Sequence, residues 1–135
     1  LNAVRAGESL VRAHSDAATN TLLGQALIGA GQMARAATVL ERAAADKEAK
    51  GGTFYLLGFT YSRAKNFPKA ITALERAAQL SPDDANVYRE LGYAYEISKQ
   101  YPKALEAYQK GAQLAPNDDY FKESVVRVKE VTSSN

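Results

Sequence analysis

The residues able to do chemistry are few and dispersed. His14 is the one histidine and cysteine is absent, so neither a second imidazole nor a thiolate can join His14 in holding a metal or serving as a nucleophile's base. The absence of cysteine also rules out disulfides and leaves the redox compartment open. The nine glycines fall inside helical patterns or at turns, away from any strand-to-helix loop that could cradle phosphate. Acidic pairs such as Asp83-Asp84 suit helix caps and turns. No catalytic constellation, cofactor or metal is expected, and the chain reads as a non-enzyme. Recognition chemistry remains, carried by tyrosine, phenylalanine and arginine, the residue types that anchor interfaces.

These side chains sit in a repeated frame. Phe54-x2-Leu57-Gly58-x2-Tyr61, then Ala70-x3-Leu74 and Pro82, returns 34 residues later as Tyr88-x2-Leu91-Gly92-x2-Tyr95, then Ala104-x3-Tyr108 and Pro116. Residues 51–84 and 85–118 align without a gap at 13 identities, and 17–50 aligns on 51–84 at 12. Leu40-Glu41-Arg42-Ala43-Ala44 recurs as Leu74-Glu75-Arg76-Ala77-Ala78. A fixed-period unit cannot bury its own apolar face, so neighbours must stack.

Each signature residue has a packing reason. Positions 54, 57 and 61 form one stripe of a 3.6-residue helix. Gly58, Gly92, Ala70 and Ala104 let helices approach closely. Pro68 and Pro102 fit a first helical turn, where a missing N–H costs nothing, and Pro82 and Pro116 end the helix. Gly111 stands where small Ala43 and Ala77 stand, which keeps close helix contact at a helix-propensity cost of about 1 kcal/mol. The first unit departs most, with Asn20 at the bulky position, Leu27 at the tyrosine and Glu48 at the proline.

The bulky-x2-Leu-Gly-x2-Tyr, Ala-x3-aromatic, Pro pattern over 17–118 resembles the tetratricopeptide repeat family. The resemblance implies an all-α, right-handed α-α superhelix of three helix-turn-helix repeats, 17–50, 51–84 and 85–118. A flanking helix in 1–16 reads as a possible partial repeat, with Ala6, Ser9 and Leu10 at its core positions, and 119–131 as a capping helix with Phe121, Val125 and Val128 inward. Eight helices are expected, roughly 3–13, 19–30, 33–45, 53–64, 68–80, 87–98, 102–114 and 119–131.

In that family the first helix of each repeat lines a concave groove holding an extended peptide or helix of another protein. By resemblance the groove positions are Thr21, Gln25 and Ile28; Tyr55, Phe59 and Arg63; Arg89, Tyr93 and Glu96; with Tyr120, Glu123 and Arg127 continuing the row. Phe59 and Tyr93 are equivalent, so the aromatics either anchor a ligand or pack across the seam between repeats. Family members that clamp a terminal carboxylate use cations and asparagines where this chain has Thr21, Gln25, Leu56, Asn86 and Glu90. With no cation among them, that specificity is not expected.

Net charge is +2, from 17 basic and 15 acidic residues without a like-charge run of five, so no phosphate track for nucleic acid is evident. Apolar stretches stop well short of the about 18 residues of a membrane span. No membrane insertion and no small-molecule substrate are expected. The start at Leu1 fits a trimmed, processed or partial chain, with a cytoplasmic location, or a periplasmic or secreted one after loss of a signal, left open. The expected function is a non-catalytic interaction module. The alternatives are a self-association module or the recruiting arm of a larger enzyme.

Overall fold

The computed structural model of the chain describes residues 2–134, which hold eight helices and no strand. They are α1 (Asn2–Ala13), α2 (Ala17–Gly29), α3 (Met33–Ala44), α4 (Gly51–Arg63), α5 (Phe67–Leu80), α6 (Ala85–Ile97), α7 (Tyr101–Leu114) and α8 (Asp119–Ser133). Helices α2, α4, α6 and α8 start at 17, 51, 85 and 119, while α3, α5 and α7 start at 33, 67 and 101. Each consecutive pair of helices packs together.

Close approach within each hairpin comes from glycine. A Cβ built on Gly24 would meet the Leu40 side chain, one on Gly58 that of Leu74, and one on Gly92 the Tyr108 ring, all closer than the 3.0 Å that real Cβ atoms keep. The receiving side chains, each 16 residues further on, are fully buried. Val126 occupies the equivalent place on α8, where its side chain is exposed. Gly111 serves the seam between α7 and α8, because a Cβ there would strike the buried Phe121 ring. The larger ring fills what the smaller residue vacates.

The hairpin turns are built alike. Gly31, Lys65 and Lys99 all have positive φ, at 76°, 61° and 60°. In each turn this residue's N–H bonds back to Ile28, Ser62 or Glu96, and the next N–H to Leu27, Tyr61 or Tyr95, closing the helix in a Schellman motif. Lysine takes the left-handed conformation twice, against the steric preference of its Cβ. At the opposite helix ends Asp16, Asp84 and Asp118 cap α2, α6 and α8 by accepting from the backbone N–H of Thr19, Asn86 and Tyr120.

The core runs along the array. One cluster joins Val4, Leu23, Leu27, Leu40 and Leu57; the other joins Leu74, Leu91, Tyr95, Tyr108, Phe121 and Val128; half-buried Tyr61 abuts both. The first unit's irregular residues have local uses. Asn20 is buried and donates to the Ser15 hydroxyl and the Asp16 carbonyl, fastening the α1–α2 turn. Asp46 receives the Ala17 and Glu48 N–H groups in the loop that carries Glu48 in place of proline.

Burial in α1 differs from the expected register. Val4 and Gly7 are buried against α2, whereas Ala6, Ser9 and Leu10 are exposed. The backbone at Gly7 lies against Leu23, a contact that fixes the helix rotation and turns Leu10 outward. In α8 the buried residues are Phe121, Ser124 and Val128, with Val125 half-buried.

Two substitutions should move stability against simple propensity. Gly58→Ala gains helix propensity yet should lose about 1–3 kcal/mol, because the added methyl overlaps Leu74. Lys65→Gly should gain about 0.5–1 kcal/mol by relieving the left-handed turn. Urea unfolding followed by circular dichroism reads both, and reversed signs would contradict the hairpin geometry.

Candidate functional site

First helices pack on one another more closely than second helices do. Helix α2 touches α4 and α4 touches α6, with the Thr21 and Thr53 hydroxyls hydrogen-bonded at 2.7 Å across the first seam. No comparable contact joins α3 to α5 or α5 to α7 among the described residues. A stack closer on one side than the other curves toward that side, so α2, α4 and α6 line the inner surface.

The central part of that surface is aromatic. Tyr55 and Phe59, one turn apart on α4, are half-buried with ring centroids 6.4 Å apart. The exposed Arg63 lays its guanidinium 4.5 Å from the Phe59 centroid. Tyr93, 38% exposed, meets the Phe67 ring edge-on at 6.0 Å. None of the three groove aromatics is buried, although Tyr55 also packs against the second core cluster.

Arg89 and Glu96 face the C-terminal side, where α8 engages both. Arg89 pairs with Asp118 and lies over the Tyr120 ring at 4.2 Å. Glu96 accepts two bonds from Arg127, at 2.8 and 2.9 Å, and one from the Tyr108 hydroxyl at 2.8 Å. These bonds, led by that from Arg127, hold the Glu96 carboxyl below its ordinary value. Glu123 is exposed. Gln25 is exposed on α2 and borders a shallow apolar depression shared with Leu10 and Leu22, apart from the aromatic group.

Glu90 stands half-buried beside Tyr55. Burial raises its pKa, opposed by Arg63 and Arg89. Burial also raises the Tyr55 hydroxyl, helped by the charges of Glu90 and Asp84.

On the seams between units, the Tyr61 hydroxyl donates to Glu41 and the Tyr95 hydroxyl to Glu75, the same bond repeated one period on. Lys69 and Lys103 lie over these two rings. Outside the inner surface, Phe54, Leu57, Tyr61, Lys69, Ala73 and Arg76 border an apolar cleft of about 590 Å³. An equivalent cleft lies one unit on at Leu91 and Tyr95. Among the described residues no group of acids and histidine is placed to hold a metal ion, and no helix is long and apolar enough to cross a membrane.

Residues 55–119 match the family model for the tetratricopeptide repeat. Over this span, just under half of its length, the chain is similar to the tetratricopeptide repeat family. Its fold, an all-α tetratricopeptide solenoid, is close to that of a crystal structure of MamA, at 25% identity over 96% of this chain and 77% of that one, with a TM-score of 0.90. The Arabidopsis OM64 tetratricopeptide domain shares the fold at 17% identity, covering 84% of this chain and 94% of its own, with a TM-score of 0.79. So does the first tetratricopeptide domain of Spaghetti (RPAP3) bound to the HSP90 peptide SRMEEVD, at 16% identity, 87% and 95% coverage and a TM-score of 0.78. No curated protein sequence matches the chain. The family is in general a non-catalytic, protein-interaction fold.

The seams between units should reveal themselves in pH dependence. Burial, reinforced by Glu41, pushes the Tyr61 hydroxyl up to about 12 from 10.0, and Tyr95 moves in the same direction. A raised acid keeps its proton when folded, so its contribution is complete below pH 10 and is lost as pH rises toward 12. The lowered Glu96 contributes above its unfolded value of 4.5 and loses that contribution on acidification. Tyr61→Phe should flatten the alkaline limb of a stability–pH curve and Arg127→Ala the acid limb. Curves parallel to wild type would remove these bonds from the account.

Proposed function

We propose that the chain is a non-catalytic scaffold whose inner surface holds an extended or helical segment of a partner protein. The observation that carries this reading is the row of incompletely buried aromatics, Tyr55, Phe59 and Tyr93, on the helices lining the curved face. Ring faces of this size supply contact area at little conformational cost, which is why they serve as anchors.

Arg63 and Gln25 keep free polar ends for a ligand's backbone. Arg89 and Glu96 act mainly by holding α8 against the groove wall, since each has an intramolecular partner. Thr21, Gln25, Leu56, Asn86 and Glu90 bring no cation, so the groove is not built for a terminal carboxylate. Nearly balanced charge argues against nucleic acid. Flexible ligands lose ordering entropy on binding, so affinity on the order of micromolar is expected.

Self-association is the second reading, favoured by exposed Leu10 and Leu22 at one end of the array and exposed Val126 at the other. Light scattering across a concentration series separates the two readings, since a concentration-independent monomer removes self-association. For the groove, Phe59→Ala combined with Tyr93→Ala should weaken capture of the cellular partner by about 2 kcal/mol or more, with helicity nearly unchanged. Undiminished capture would move the site to the outer clefts.

A further inference from the structure

Among the described residues seven acidic side chains are half-buried, and six of them have a protein partner within reach. Glu8 pairs with Arg35, Asp118 with Arg89, and Glu96 with Arg127 and Tyr108. Asp16, Asp46 and Asp84 accept backbone N–H groups. Among the described residues Glu90 alone of the seven has no hydrogen bond or ion pair; it lies within electrostatic reach of the Tyr55 hydroxyl and of Arg63 and Arg89. A half-withdrawn charge left unpaired is costly in a folded chain and points to a partner from outside it.

The surrounding charges decide the sign of that partner. Arg89 is spent on Asp118 and the Tyr120 ring. Arg63 rests on Phe59, and Asp84 adds a second negative charge near Tyr55. With Arg89 and Asp118 cancelling, Glu90 and Asp84 against Arg63 leave one negative charge on this stretch of the groove.

An aromatic face beside an unpaired carboxylate is the chemistry that binds a cation on a long apolar stem. Arg63 on Phe59 already realises the aromatic half of it within the chain. We propose that Glu90 sets the specificity of the groove by receiving a lysine or arginine side chain of the bound segment, whose stem lies along Tyr55. This deepens the groove reading and rests on it. Burial raises the pKa of Glu90 against the opposing charges of Arg63 and Arg89, and a ligand cation brought close would lower it further.

The test is selection of a phage-displayed random peptide library on the full chain, followed by titration of the enriched peptides as synthetic ligands. Wild type should enrich lysine or arginine at one fixed position. Glu90→Gln should lose that preference and bind the same peptide about tenfold more weakly. Glu90→Lys should shift the preference to aspartate or glutamate. Glu90→Gln should also melt higher than wild type at neutral pH, since it removes an unpaired charge, so weakened binding would not reflect misfolding. Peptides that need Phe59 and Tyr93 but show no basic preference, or keep one in Glu90→Gln, would overturn the proposal and leave the groove reading standing. Peptides indifferent to Tyr55, Phe59 and Tyr93 would overturn both.

Discussion

The whole array depends on a glycine in the first helix of each hairpin, into which a bulky side chain from the second helix fits. Leu40, Leu74 and Tyr108 occupy the space over Gly24, Gly58 and Gly92, and no side chain on the glycine could share it. That fit fixes helix separation and rotation together. With rotation fixed, Leu57 and Leu91 turn inward, and Tyr55, Phe59 and Tyr93 are left on the face that the neighbouring helices do not cover. The proposed recognition surface is thus a by-product of the packing constraint.

Stacking adds curvature to this repeated geometry. First helices meet at their seams while second helices splay, and the result is a concave wall of α2, α4 and α6. The wall is not uniform along its length. Toward the C-terminal end Arg89 and Glu96 are tied to α8, which makes that part charge-neutral and fixed. Toward the centre Phe59, Tyr55 and Glu90 keep unspent surface. Toward α1 the wall is smaller and more polar, with Thr21 already bonded to Thr53. On the proposed reading, recognition is concentrated where α4 meets α6.

Much of this was legible in the sequence, because a period of 34 residues repeats the same packing problem three times and so prints its solution three times. All eight helices lie within two residues of their expected starts and ends, and the Gly58 and Gly92 positions identify themselves as sites of close approach. What repetition could not disclose lies where the repeat is broken. Gly111 read as a place of close helix contact at a cost in propensity, but that Phe121 of the following helix is what fills it emerges only from the fold. The pairing of Arg89 with Asp118 and of Glu96 with Arg127 joins residues about one unit apart, and no second copy of either pair exists to reveal it. In α1, which has no repeat partner, Leu10 looked like a core residue because its burial depends on the single contact of Gly7 with Leu23. The free or engaged state of each charge on the inner helices required the fold.

The central claim is that the first helices carry the partner, and amide hydrogen exchange of the chain with and without a bound peptide tests it most directly. The account predicts slowed exchange centred on 51–63 and 85–97, with α3, α5 and α7 little changed. Protection confined to α5 and α7, around Lys69, Arg76 and Lys103, would place recognition on the outer clefts and contradict it.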